Sequence, residues 1–214
     1  MKSTRSSKLF YKFIDNNAKQ NTILLHGILG NHRNLNVLTT YPESKQLTNF
    51  YMVDLRNHGQ SFHDSSNDVS DHVNDIVELI QQNNITNTCI VGHSFGGRIG
   101  TQLGLLYPQL LDKLCLLDIG PYNYNKENPG KGETKHIILS LNAIDLSQGY
   151  DYVKDEILKV ANGSKFVAGF FMTNLVRDDE KLSWRCNMEV LAKDIDNTVG
   201  FEFAQKTFEK PVLV

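Results

Sequence analysis

A serine stands between two glycines in Val91–Gly97, whose sequence is VGHSFGG. This G-x-S-x-G pattern lies where an apolar, strand-length run ends and a helical pattern begins, the setting of a nucleophile elbow. Gly92 and Gly96 would let the turn approach its neighbours closely while Ser94 adopts a strained conformation that exposes its hydroxyl. A helix that starts there points unpaired N–H groups at the site and favours an oxyanion. We therefore predict Ser94 as a catalytic nucleophile, with His93 as part of its motif.

A second glycine-rich turn, His26-Gly27-Ile28-Leu29-Gly30, follows an earlier apolar run. Acyl transfer needs N–H donors where the carbonyl oxygen becomes negative. We predict the backbone amides of Ile28 and Phe95 as these two donors, with His26 and Gly27 supporting the turn. Alone, this segment would be interpreted as a plain glycine-rich strand exit, but its pairing with the serine motif favours an oxyanion hole.

A third polar turn, Asp54–Ser61, contains aspartate, arginine, asparagine and histidine within a few residues. Such side chains can satisfy one another and fix the shape of a loop, so a structural role for His58 is favoured over a catalytic one. Metal binding is the other alternative for the histidines in these turns, but no H-x-H-x-D, H-E-x-x-H or cysteine pair accompanies them. We therefore predict no metal site.

A carboxylate, Asp118, follows another apolar run and precedes Gly120 and Pro121. In open α/β sheets, ligands bind at the carboxyl ends of the strands, where this residue is expected. Asp118 could orient a general-base histidine, or it could cap the Gly-Pro turn. The sequence leaves both roles open, and we retain Asp118 as a candidate catalytic acid.

The elements that must position these residues follow from the spacing of apolar residues. Unalternating runs of strand length occur at Thr22–His26, Phe50–Leu55, Thr88–His93 and Leu114–Ile119. Helical periodicity is expected over Asp71–Gln82 and Ser94–Tyr107, and Leu9–Ile14 alternates like an edge strand. Strands buried on both faces that alternate with helices predict an α/β fold with a mostly parallel sheet covered by helices on both sides.

The pattern of polar and apolar residues along the chain changes after Pro121. A polar loop comes first, followed by helix-period sequence with few strand signals until Pro211. We therefore predict an α/β core over 1–121, a helical cap insertion over 122–205, and the start of a further core strand over 206–214.

Charge and composition exclude several classes of partner. The 214 residues carry 22 Lys and Arg against 24 Asp and Glu, for a formal net charge of −2. Such a balanced charge creates no long-range attraction to nucleic acid or anionic lipid. The longest apolar stretches are far shorter than the roughly 20 residues that span a bilayer. We therefore predict neither nucleic-acid binding nor membrane insertion.

The cysteines and the amino-terminal segment indicate which cellular compartments are compatible with the sequence. Cys89, Cys115 and Cys186 are odd in number and widely spaced, which favours a reducing, intracellular environment. The first twelve residues are basic and contain several serines but no acid, as in an organelle transit peptide or a solvated tail. A mitochondrial and a cytoplasmic location both stay open, as does the oligomeric state.

Four motifs of this sequence together resemble those of the α/β-hydrolase superfamily. They are H-G-x-x-G at 26–30, D-x-R-N-H-G-x-S at 54–61, G-H-S-F-G-G at 92–97 and D-I-G-P at 118–121. Within this superfamily, the R-N-H-G-x-S loop and the stretches 170–175 and 184–188 resemble the ABHD11-like and YbfF-type esterases. The resemblance implies a serine hydrolase that cleaves small acyl esters or thioesters under a helical lid. It also implies Ser94 as nucleophile, the amides of Ile28 and Phe95 as oxyanion hole, and no cofactor.

One departure from the family pattern concerns the general base. The family's histidine follows its last strand, whereas this sequence ends at Pro211–Val214, which resembles the opening of the penultimate strand. We therefore expect the last strands and that histidine to be missing, with Asp118 as the remaining candidate acid. A serine without its base loses several orders of magnitude in rate, so we expect impaired activity. The alternative is a non-catalytic binding protein of the same fold, or an incomplete gene product.

Overall fold

The computed structural model describes residues 9–120, 130–179, 181–200 and 202–214. The basic residues at positions 2, 5 and 8, Pro121 and most of the polar loop after it lie outside the described residues. The strands are β1 (Tyr11–Ile14), β2 (Gln20–Leu25), β3 (Thr48–Val53), β4 (Thr88–His93), β5 (Lys113–Leu117), β6 (Leu175–Asp178), β7 (Lys181–Trp184) and β8 (Val212–Leu213). The α-helices are α1 (Pro42–Leu47), α2 (Val69–Gln82), α3 (Phe95–Leu106), α4 (Gly130–Asn142), α5 (Tyr150–Val160), α6 (Lys165–Met172) and α7 (Met188–Gly200).

The main sheet is six-stranded, in the order β1-β3-β2-β4-β5-β8. Strand β1 is antiparallel to β3, and the other neighbouring strands are parallel. This confirms the predicted α/β fold with a mostly parallel sheet and flanking helices, and it confirms the edge strand near the amino terminus. The central strands β2 and β3 are largely buried, whereas both residues of the edge strand β8 are exposed.

Register brings the ends of the central strands to one edge of the sheet. Leu25 pairs with Val53 on one side and with Gly92 on the other, while His93 pairs with Leu117. The segments that follow β2, β3, β4 and β5 therefore leave the sheet at the same edge. The chain order reverses at β2, whose neighbours β3 and β4 lie on opposite sides, and such a switch point opens a crevice for ligands.

Helices α2 and α3 are positioned by their buried faces. In α2 the buried apolar side chains include Val73, Ile76 and Ile80, which repeat at helical spacing. Helix α3 is buried along most of its length and lies against β4 and β5. The approach is close, since a Cβ atom at Gly100 would contact the side chains of Ile90 and Leu114. The predicted helices thus form, with ends within two residues of the expected positions.

Residues 130–200 form four helices and a short hairpin. Helices α4 and α7 pack together, and α5 packs on α6. Strands β6 and β7 pair antiparallel from Leu175 and Trp184 to Asp178 and Lys181, in a segment where few strand signals were found. The apolar side chains of this segment cluster around Ile138 together with Leu29 from the turn after β2, and the sheet has clusters around Ile23 and Leu24.

The division at residues 121 and 205 stays a prediction, and Ile28 packs against the apolar clusters on both sides of it. Strand β8 does form within 206–214, where it pairs with β5. In the described parts of the chain, no helix has the length and apolar character needed to cross a membrane.

Candidate active site

Ser94 occupies the junction between β4 and α3. Its backbone lies at φ 49° and ψ −111°, in the positive-φ region that side chains other than glycine rarely adopt. The Ser94 N–H donates to Leu117 O at 2.9 Å, and Ser94 O accepts from the N–H groups of Gly97 and Arg98. Ser94 as a whole is partly buried, at the edge of the sheet where β4 ends.

Two glycines make this sharp turn sterically feasible. A Cβ atom at Gly92 would lie 2.5 Å from Gly96 O, and one at Gly96 would overlap the carbonyl group of Leu25. Both positions therefore exclude larger residues, as the sequence motif predicted. Gly96 also brings the first turn of α3 directly against the end of β2.

The segment after β2 runs alongside Ser94. A Cβ atom at Gly27 would lie 3.4 Å from Ser94 Cβ and 2.9 Å from His93 Nδ1. The turn is closed by a hydrogen bond from Gly30 N to Gly27 O, 2.9 Å long, with Leu29 at φ 61°. Within the described residues, the amides of Ile28 and Phe95 donate to no protein acceptor. Two backbone donors without partners thus occur in the segments that flank Ser94.

Asp118 lies at the end of β5 with φ 55° and a side chain that is 91% exposed. Its Oδ2 atom is 3.9 Å from His93 Nε2, and the His93 side chain is 42% exposed. The structure therefore places Asp118 beside the histidine that precedes Ser94 in the motif. Whether it orients a base or caps the turn toward Pro121 stays open, since Pro121 is outside the described residues.

His26 and His58 belong to the framework of the site. The Nδ1 atom of His26 donates to Gly27 O at 2.8 Å, while its Nε2 accepts from Leu55 N at 3.0 Å. His58 Nδ1 donates to Arg56 O at 2.8 Å. Burial is the largest cause that lowers the pKa of both imidazoles, that of His58 to about 4 and that of His26 well below its ordinary value. Both rings are therefore neutral, which agrees with the structural role predicted for the Asp54–Ser61 turn.

A contact that the sequence did not predict links the 130–200 segment to this turn. Asn174, which is 1% exposed, donates from Nδ2 to Leu29 O at 2.7 Å, and its Oδ1 accepts from Cys186 Sγ at 3.0 Å. Arg185 N donates to Asn174 O at 2.7 Å. The family-like stretches 170–175 and 184–188 thus meet at one buried amide that holds the turn carrying Ile28. The available signal was a pair of polar residues, Thr173 and Asn174, directly after the apolar helix α6.

The described ranges contain no group of three or more His, Cys, Asp and Glu side chains able to hold an ion. Of the histidines considered for such a site, His26 and His58 are engaged in the hydrogen bonds above, and His63 Nε2 contacts Arg185 O at 3.1 Å.

A family model described as the alpha/beta hydrolase fold matches residues 23–194. The chain belongs to the α/β-hydrolase fold family. This α/β-hydrolase chain is 28% identical to the sn-1-specific diacylglycerol lipase ABHD11 of Mus musculus, over 98% of this chain and 69% of that protein. It is 29% identical to the esterase YbfF of Escherichia coli, over 84% of this chain and 67% of that protein.

This α/β-hydrolase chain spans 62 to 69% of the length of four vertebrate ABHD11 proteins. A solved structure described as a marine microorganism esterase superposes with a TM-score of 0.86 at 24% identity, covering 97% of this chain and 79% of that one. At that identity the structural match establishes the fold. The sequence-based resemblance to carboxylic-ester hydrolases of the ABHD11 and YbfF type is confirmed.

Proposed function

We propose that this chain is a serine hydrolase that cleaves carboxylic esters through an acyl-enzyme on Ser94. The observation that best supports this proposal is the serine with positive φ at the strand–helix junction, flanked by the unpartnered amides of Ile28 and Phe95. Strain of this kind costs about 1–3 kcal/mol and persists where the surrounding structure holds it, which occurs most often at functional sites. The names of the relatives, lipase and esterase, support the same reaction class.

In the proposed reaction, Ser94 Oγ attacks the acyl carbon and forms a tetrahedral intermediate. The amides of Ile28 and Phe95 donate to its negatively charged oxygen, and the first turn of α3 adds its positive dipole end. The C–O or C–S bond to the leaving group then breaks, and the alcohol or thiol departs with the proton that Ser94 gave up. Water then attacks the acyl carbon of the acyl-enzyme. The bond to Ser94 Oγ breaks, the carboxylic acid is released, and a proton from the water returns to Ser94 Oγ.

Proton transfer is the step this chain supports least. All seven histidines fall within the described residues, and none of them hydrogen-bonds to the Ser94 hydroxyl. His93 comes nearest along the chain, but its ring lies beside Gly27 and Asp118. A serine without a general base is a weak nucleophile, so we expect slow acylation by the 214-residue chain.

Probe labelling tests this proposal directly. The 214-residue chain and a version extended with the carboxyl-terminal segment of its relatives are treated with a fluorophosphonate probe and with p-nitrophenyl acetate. We expect labelling at Ser94 and turnover in the extended chain, and rates lower by about 10³-fold or more in the shorter one. The control Ser94→Ala removes labelling in both.

Other outcomes would decide against parts of the proposal. Equal turnover by both chains would show that the base lies among the residues present. Labelling of neither chain would favour the alternative, a non-catalytic binding protein with this fold, which the unengaged Ser94 hydroxyl also fits.

The substrate class rests on resemblance. Small acyl esters or thioesters are proposed, and the name sn-1-specific diacylglycerol lipase adds acylglycerols to the compounds worth testing. The cysteines are free thiols in the structure, as a reducing compartment would require, while a mitochondrial or cytoplasmic location stays a prediction.

A further inference from the structure

A cavity of about 200 Å³ lies next to the segment that follows the turn carrying Ile28. One wall is the segment Asn31–Asn34, a second is the Gly59–Gln60 turn, and the third is formed by Thr173 and Arg185 from the segment around the β6–β7 hairpin. We name this cavity the Arg33–Arg185 pocket. This pocket takes no part in the proposed hydrolysis.

The one carboxylate among its lining residues is fully engaged. Asp54 is buried, and its Oδ1 accepts from the backbone N–H and from Nδ1 of His32, at 2.5 and 2.9 Å. Its Oδ2 accepts from Gln60 N at 2.8 Å. Asp54 therefore uses its charge inside the loop and offers little to a cation in the pocket.

The remaining lining groups are mainly hydrogen-bond donors. Asn31 Oδ1 accepts from Arg33 N at 3.0 Å, and Asn34 Oδ1 accepts from Asn31 N at 2.5 Å. Both amide oxygens accept these bonds, and neither NH₂ group donates to a described residue. Arg33 and Arg185 are exposed, and neither guanidinium forms an ion pair or hydrogen bond with another described residue.

We propose that the Arg33–Arg185 pocket binds a phosphate group, as inorganic phosphate or as a phosphate monoester. Arg33 and Arg185 line the pocket from different segments of the chain, and guanidinium is well matched to phosphate oxygens. Donors from both sides suit the several oxygens of a tetrahedral anion better than the two oxygens of a planar carboxylate. The proposal is independent of hydrolysis at Ser94.

Titration calorimetry of the full 214-residue chain with inorganic phosphate, in a phosphate-free buffer of low ionic strength, tests the site. We expect Arg33→Gln and Arg185→Gln each to weaken phosphate binding by about tenfold, and the double variant to bind far more weakly still. Arg177→Gln is the matched control, because Arg177 is an exposed arginine of the same hairpin that does not line the pocket. Urea unfolding of each variant verifies that the fold is unchanged.

Three results would overturn the proposal: no phosphate binding by the native chain, native-like binding by the double variant, or an equal loss in Arg177→Gln. Acetate as a titrant should bind more weakly than phosphate, and tighter binding of acetate would also count against a phosphate site. Phenyl phosphate then identifies the source of the anion. Tighter binding than inorganic phosphate supports an organic phosphate ligand, and weaker binding supports free phosphate in the same pocket.

Discussion

At the scale of single residues, the site depends on a few buried polar contacts that hold strained backbone. Ser94 keeps its positive φ because its N–H is fixed to Leu117 O and its carbonyl is fixed by the first turn of α3. Leu29, also at positive φ, is held by Asn174 through its carbonyl group. These contacts, rather than the motif alone, determine where the candidate oxyanion donors lie.

Replacing Asn174 with alanine should loosen the turn that carries Ile28. The buried Leu29 carbonyl would lose its donor and Cys186 its acceptor, which costs about 1–3 kcal/mol when a buried group is left unsatisfied. We expect that decrease in the free energy of unfolding measured with urea. The control is Asn197→Ala, at an exposed position of α7, for which a change within about 0.5 kcal/mol is expected. Equal effects of the two substitutions would show that the Asn174 contact contributes nothing specific.

At the scale of elements, the sequence predicts what local periodicity and glycine spacing encode. The four buried strands and helices α2 and α3 form where expected, because apolar runs and helical repeats are local signals. The β6–β7 hairpin was missed, since each strand has four residues and lies between helices. The Asn174–Leu29 contact joins residues 145 positions apart, and no local pattern reports such a distance. The roles of Ser94, Ile28 and Phe95 stay predictions that the geometry supports.

The packing of α3 on β2 should depend on the absence of a side chain at Gly96. In Gly96→Ala the new methyl group would overlap the Leu25 carbonyl, which is backbone and cannot rotate away. We expect a loss of about 1–3 kcal/mol or more in the free energy of unfolding, as for overpacked cores. The rate of fluorophosphonate labelling of Ser94 in the extended chain should decrease together with this stability.

Gly169→Ala provides the matched control, because a Cβ atom there meets nothing within 4 Å and the residue lies inside α6. Alanine at an open helical position should stabilise the chain by up to about 1 kcal/mol. A neutral or stabilising Gly96→Ala would show that the contact between α3 and β2 is less tight than the structure indicates.

At the scale of the whole molecule, polar contacts connect the sheet to the helices of residues 130–200. Asn67 N donates to Asp194 Oδ2 at 2.8 Å, and Asn67 Oδ1 accepts from His72 Nε2 at 3.1 Å. The His72 ring packs edge-on against Phe95, with ring centroids 4.9 Å apart. One chain of contacts therefore runs from α7 through α2 to the residue after Ser94, so the protonation state of His72 bears on how the two parts fit together.

Acidification should destabilise the molecule because three buried histidines must stay neutral. A proton added to His58 Nε2 or His72 Nδ1 would be buried with no acceptor among the described residues, and one added to His26 Nε2 would displace the Leu55 N–H. Burial is the largest cause that lowers the pKa of each, to about 4 for His58 and well below 6.5 for the other two. The unfolded chain therefore binds more protons below pH 6.5, and stability that is complete above this pH is lost as the pH falls toward 4.

The free energy of unfolding, measured with urea at a series of pH values, should fall by up to about 4 kcal/mol per pH unit if all three histidines stay neutral in the folded chain. His136→Gln changes an exposed histidine of α4 and should leave this slope unaltered. A stability that is constant between pH 6.5 and 4.5 would mean that the folded chain accepts these protons, which the hydrogen bonds of His26 and the unpartnered nitrogens of His58 and His72 argue against.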